Sequence, residues 1–109
     1  MSESQPIVVL MTAASGDEAK RIAETLVDQK LAACVQILPE MQSIYLWKGE
    51  VQRESEVFVI AKSTRSKFEE LERQVRAMHS YETPEIIALP ILAGSDRYLE
   101  WLLTSCDAS

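Results

Sequence analysis

The chain has 109 residues, 47% of them hydrophobic and 26% charged, which is the length and composition of one globular domain and excludes a disordered chain. A domain of this size buries roughly 65% of the surface its unfolded form exposes, enough for a core without staples. Seventeen Asp and Glu against eleven Lys and Arg leave a net charge of -6; such a surface repels phosphate backbones and anionic lipid, so generic nucleic-acid and membrane-surface roles are set aside and only a local basic patch escapes that argument.

Residues 1–5 are polar and read as a disordered tail. Pro6 to Thr12 follows as a continuous apolar run too short for a helix, the pattern of a strand covered on both faces. Ser15-Gly-Asp-Glu18 has the spacing of a capping box. Behind it, Ala19, Ile22, Ala23, Leu26 and Val27 recur at helical intervals opposite Lys20, Arg21, Glu24 and Asp28, so an amphipathic helix is expected. Ala33 to Ile37 returns to strand character until Pro39, whose missing amide marks a bulge, kink or edge.

From Ser43 to Trp47 the residues alternate, Ile44 and Leu46 on one face and Tyr45 and Trp47 on the other. Lys48-Gly49 is a turn, and Val51 to Ala61 returns as the second arm of one long hairpin. The distal half of that hairpin is too long and too two-faced to be buried within one small domain. Ser66-Lys-Phe-Glu69 reads as a second capping box, opening a helix with Phe68, Leu71, Val75 and Met78 as its apolar stripe. Glu69 with Arg73 and Glu72 with Arg76 are expected i,i+4 pairs. His79 to Pro84 ends the helix, Glu85 to Leu92 forms a fourth strand, and Ser95 caps a last helix carrying Tyr98, Trp101 and Leu102 on one face.

The order βαββαβ with a C-terminal helix gives an α+β, ferredoxin-like domain of four antiparallel strands with two helices on one face. Its strands are apolar on both sides, so the second face is expected to be covered by other subunits. The two cysteines, Cys34 and Cys106, cannot form a disulfide framework, and no apolar stretch reaches signal-peptide or membrane-spanning length. A soluble, cytoplasmic protein with reduced thiols is the expectation.

Few residues here carry chemistry. His79, the only histidine, reads either as a cap for the helix end or as a metal ligand. Cys34 reads as a small core residue, a thiol ligand, or a nucleophile activated by His79. Tyr81, Glu82 and Glu85 surround Pro84 in a polar, aromatic loop suited to ligand binding or merely solvated. Lys62, directly after an apolar strand, can pair with Glu85 or meet an anionic ligand. Trp47 and Trp101 are packing or interface aromatics, and Cys106 reads as an incidental, exposed or half-buried thiol. No phosphate-binding loop, dinucleotide fingerprint, nucleophile elbow or spaced Cys/His metal motif occurs.

Taken together in order, Leu31-Ala-Ala-Cys-Val35, Ser43-Ile-Tyr-Leu-Trp47, Lys62, His79-Ser-Tyr-Glu-Thr-Pro-Glu-Ile86 and Tyr98-Leu-Glu-Trp101 resemble the CutA family, the divalent-cation tolerance proteins. The resemblance runs over nearly the whole chain as a single domain, 1–109. It implies a homotrimer with a subunit architecture like that of the PII signalling proteins, and a lateral intersubunit cleft lined or supported by Cys34, Trp47, Lys62, His79, Tyr81, Glu82 and Glu85. The family name points to copper and other divalent cations, with Cys34, His79 and Glu85 as the expected metal ligands. Where the family's usual pattern is His-Pro-Tyr, this chain has His79-Ser80-Tyr81, which removes a rigid φ after the histidine. Its Lys-Thr is Lys62-Ser63 here.

Three functions compete at this point. The first is a non-catalytic, trimeric divalent-metal-binding protein of metal tolerance, with no metal needed for folding. The second is a PII-like sensor taking a small organic or anionic ligand in the cleft. A cysteine-dependent enzyme comes last, because no third group to orient a Cys34–His79 pair can be identified.

Overall fold

A computed structural model of the chain describes residues 2–107. The elements run β1 (Pro6–Ala13), α1 (Gly16–Asp28), β2 (Cys34–Trp47), β3 (Glu50–Thr64), a single 3-10 turn (Arg65–Lys67), α2 (Phe68–Met78), β4 (Ile86–Pro90) and α3 (Asp96–Ser105). The strands form one antiparallel sheet in the order β2-β3-β1-β4, the arrangement expected of a ferredoxin-like chain.

Period-two alternation divides β1 between two apolar surfaces. Ile7, Val9 and Met11 join Val57, Val59 and Ala61 of β3 beneath Ala19, Ile22 and Leu26 of α1 and Leu71 and Val75 of α2. That is the core. Val8 and Leu10 point the other way, with Leu10 opposite Ile60 on one side and Ile87 on the other. On this second face Leu38, Ile87 and Leu89 are each more than half exposed. The uninterrupted hydrophobicity of β1 is thus explained by two apolar faces, only one of which the two large helices cover.

The β2–β3 hairpin turns through Lys48 (φ 51°) and Gly49 (φ 81°). Two successive positive φ angles define the type I′ turn, whose twist matches that of antiparallel strands. Pairing continues from Trp47↔Glu50 to Met41↔Glu56, then the register shifts between Leu38 and Met41. Pro39 lies in that bulge, beside Glu40 at φ 50°, and β2 continues through it because it is an edge strand. Ile44, Leu46 and Val51 are exposed along the projecting arm, which stretches the molecule to 44 × 25 × 22 Å.

Several local expectations change. Ser15 accepts the Glu18 amide at 3.2 Å, but the Glu18 carboxylate does not return to complete the box. Ser66 caps nothing: its hydroxyl meets that of Thr64, and α2 starts from Lys67 without a side-chain cap. Glu69 pairs with Arg65 and Arg73 with Glu70, while Glu72–Arg76 forms as expected at 2.7 Å. The 3-10 turn supplies Arg65 one turn ahead of Glu69, and that shift of the helix start explains the changed partners. Ser95 likewise makes no side-chain cap bond. The fourth strand is shorter than expected and ends at Pro90.

Residues 2–5, read above as a disordered tail, are hydrogen-bonded instead. Glu3 and Gln5 carbonyls accept the Ser66 and Arg65 amides at 2.9 Å each, and the Gln5 side-chain amide donates to Pro6 and Ile91 carbonyls. Met1 lies outside the described residues. Cys106 is also corrected, being 2% exposed and packed with Leu102 and Ala33. Burial raises its thiol pKa, against a smaller lowering by the Ser63 hydroxyl.

Candidate functional site: an acidic, aromatic cleft

The hairpin and the loop after α2 enclose a cleft of about 740 Å³. Strand alternation builds its wall. The register sets Tyr45 opposite Gln52, Ser43 opposite Glu54 and Trp47 opposite Glu50, so Ser43, Tyr45, Trp47, Gln52, Glu54 and Glu56 share one surface. Thr12 at the end of β1 lies at its base, and Tyr81, Glu82, Thr83 and Glu85 come from the loop. Among the described residues, four carboxylates line this space and no Lys, Arg or His does.

Two phenols share this wall with the carboxylates, Tyr81 near Glu56 and Tyr45 near Glu54. Desolvation pushes the Tyr81 phenol well above its ordinary range, and the neighbouring Glu56 carboxylate pushes it further. Tyr45 shifts in the same direction, first by desolvation and then through Glu54. Each phenol therefore stays protonated at neutral pH.

His79 stands behind this wall, not in it. Its ring is wholly buried, with Nε2 donating to the Thr12 carbonyl at 2.7 Å and Nδ1 accepting the Tyr81 amide at 3.0 Å. These partners select the Nε2-protonated tautomer. Nδ1 also lies 3.1 Å from Glu18 Oε1, an ion pair only when the ring is doubly protonated. His79 is the last residue of the α2 turn, as its reading as a helix cap requires, yet its ring serves β1 and the loop in place of the helix dipole. It packs against Tyr81 with ring centroids 4.7 Å apart.

Cys34 and Lys62 form a separate group. They face each other across β2 and β3, and β3 carries Lys62 roughly 17 Å beyond Val57, the partner of Ala13 beside the cleft, at ~3.3 Å per residue. The Lys62 ammonium donates to Gln36, not to Glu85. Cys34 Sγ sits 3.7 Å from the Tyr98 hydroxyl, and Tyr98 stacks at a tilt on Trp101. The Cys34 contact, then desolvation, raises the Tyr98 phenol pKa. Of the seven residues expected to share a cleft, one chain therefore gathers Trp47, Tyr81, Glu82 and Glu85, backed by His79, and places Cys34 and Lys62 elsewhere. Among the described residues no group of three or more His, Cys, Asp or Glu side chains is arranged to hold a metal ion.

Sequence reasoning missed Glu18, Tyr45, Glu54, Glu56 and Gln36. Glu54 and Glu56 were accessible in principle, since residues two apart on a strand share a face and the Lys48-Gly49 turn fixes their register with Tyr45. Nothing local marks Glu18 or Glu56 as buried, because each is buried by residues distant in sequence.

The family model of the CutA1 divalent ion tolerance protein matches residues 7–105. The chain belongs to this family. Protein CutA, chloroplastic, of Arabidopsis thaliana is 48% identical over 99 residues, covering 91% of this chain and 54% of the plant protein. The divalent-cation tolerance protein CutA of Thermus thermophilus is 47% identical over 95 residues, covering 87% and 92%. The chain thus spans about half the length of the plant relative and nine-tenths of the bacterial one. The crystal structure of CutA1 from Oryza sativa superposes with a TM-score of 0.92 at 43% identity, over 96% of each chain. The T. thermophilus structure gives 0.88 at 46% identity, over 89% of this chain and 94% of its own. Residues 7–105 of this CutA1 chain hold the cleft, the hairpin and the Cys34–Tyr98 contact alike.

Proposed function

We propose that this CutA1-family chain is a non-catalytic cation-binding protein of divalent-metal tolerance, acting as a homotrimer whose ligand sites are completed where protomers meet. The observation that carries the reading is the cleft lining, with four carboxylates and no basic side chain. Such a surface concentrates cations and repels anions. No metal-holding group forms among the described residues of one chain; in this reading a neighbouring copy would supply the remaining ligands. Cys34 and Glu85 offer a thiolate and a carboxylate for that purpose, a donor pair that accommodates copper. His79 joins them only by releasing Thr12 or Tyr81. The half-exposed apolar face and the projecting hairpin support assembly, because a soluble monomer seldom exposes so much contiguous apolar surface. In the same reading the protein is cytoplasmic, with both thiols free.

The test is a Cu²⁺ titration of the Trp101→Phe variant, which leaves Trp47 as the sole indole. Saturable quenching that weakens in Cys34→Ser and Glu85→Gln is the expected result. Quenching unchanged in both variants overturns this ligand set, and no binding at all overturns the cation reading.

The cleft volume favours a second reading. At about 740 Å³ the cleft is far larger than one ion needs and lies in the range of small-molecule pockets. A PII-like sensor would take an organic ligand there, flanked by Tyr45, Trp47 and Tyr81. With Lys62 bound to Gln36 away from the cleft, that ligand would be neutral or cationic. A metabolite that shifts Trp47 emission while Cu²⁺ does not would favour it.

A further inference from the structure

We propose that Glu18 is the positioning residue of the cleft: its buried carboxylate clasps Ser80 and so holds the 79–85 loop where Tyr81 lines the site. The inference rests on the reading of this cleft as the binding site.

Glu18 occupies the first turn of α1 and is 5% exposed. A carboxylate there can assist the helix by reaching back to the cap, yet both its oxygens turn to a residue 62 positions later. Oε1 accepts the Ser80 amide at 3.1 Å and Oε2 the Ser80 hydroxyl at 2.8 Å. Burying a carboxylate is costly unless its oxygens are satisfied, and Ser80 supplies both donors. A clasp with two bonds fixes the orientation of that residue as well as its position.

The constraint then passes along the loop. The His79 ring spans from the Thr12 carbonyl to the Tyr81 amide. That amide follows Ser80 directly, and the Tyr81 ring lies against the imidazole. Tyr81 in turn lines the cleft together with Glu56. One route therefore leads from α1, through Ser80 and His79, to the phenol that lines the site. A proline at position 80 could make neither bond to Glu18, having no N–H and no hydroxyl. It would restrain the loop covalently instead. His79 already has the extended backbone (φ -79°, ψ 143°) that a following proline requires.

The experiment compares Glu18→Ala, Glu18→Gln and the double variant Glu18→Ala/Ser80→Pro as full chains in the Trp101→Phe background. Amide hydrogen exchange reads the loop, and Cu²⁺ quenching of Trp47 reads the cleft. Glu18→Ala is expected to speed exchange at Ser80 and Tyr81 by roughly tenfold or more, the effect of losing bonds to a charged acceptor, and to weaken Cu²⁺ binding by a similar factor. The β1 and β3 amides should keep their protection. Glu18→Gln retains an acceptor for the Ser80 amide and should preserve most of both properties, and Ser80→Pro should restore them in the Ala background. Should Glu18→Ala fail to fold, Ser80→Ala removes only the Oε2 bond and is read the same way. Unchanged loop exchange overturns the inference. So does loss of protection in β1, β3 and loop together, which marks a purely structural role. If the unaltered protein does not bind Cu²⁺, the cation reading fails separately, and loop exchange alone decides the role of Glu18.

Discussion

Tyr81→Phe removes a single hydroxyl from the cleft wall and leaves the ring in place against His79, 4.7 Å between centroids. The lost hydroxyl neighbours Glu56, a carboxylate only 6% exposed that raises the phenol pKa, and the account predicts a hydrogen bond between the two. Hydrogen bonds to charged groups contribute about 1.5–3 kcal/mol, so the variant should lose that much stability, a factor of roughly 10–150 in the folding equilibrium. Urea denaturation at fixed protomer concentration measures it, with Glu56→Gln and the double variant closing the cycle. The account predicts a coupling of about 1.5–3 kcal/mol between the two sites. Burial, then Glu56, raises the folded-state phenol pKa above its unfolded value, so this contribution is fully present below about pH 10 and is lost only as pH rises through the folded value. The difference between the two proteins should accordingly stay constant from about pH 7 to 9. Additivity of the two substitutions within about 0.3–0.5 kcal/mol would refute the pairing.

Three further outcomes follow from the same geometry. All three tyrosines have raised phenol pKa values, so native phenolate absorbance at about 295 nm should begin to rise only above the ordinary range near pH 10 and move back down in denaturant; a native midpoint at the ordinary value contradicts the cleft geometry. Iodoacetamide with mass readout should label half-buried Cys34 before Cys106, which is 2% exposed and has its thiol pKa raised by burial, and equal rates would contradict the packing of α3. Leu102→Ala should cost about 2–5 kcal/mol in urea denaturation, because Leu102 is completely buried between Ala33 and Cys106; a cost under about 1 kcal/mol would mean that α3 is not docked as described.

How much of this was legible in the sequence varied with the range of the cause. The succession of strands and helices followed from hydrophobic periodicity, and the turn from Lys48-Gly49, because both are set by residues close together in the chain. Pro39 identified its own bulge for the same reason. The Ser66 box failed because a 3-10 turn moved the start of α2, where the Arg65 and Ser66 amides bond to the Gln5 and Glu3 carbonyls. In the cleft, Tyr81, Glu82 and Glu85 were identifiable as one polar loop around Pro84, while Trp47 joined them only through the family resemblance. Glu18 and Glu56 were not, since the spacing of Glu18 suits a cap equally well and nothing local in the sequence marks Glu56 as buried. Lys62 was legible as a cation at a strand end, but its partner depended on β2 register, which placed Gln36 within reach.

Sedimentation equilibrium across a micromolar dilution series tests the central claim, that copies of this chain cover its second sheet face and complete its binding sites. The account predicts a species of three times the 12.3 kDa protomer mass, persisting on dilution and breaking down when Leu89→Lys places a charge on the exposed apolar face. A folded 12.3 kDa protomer at every concentration, with Trp47 still quenched by Cu²⁺, would contradict it.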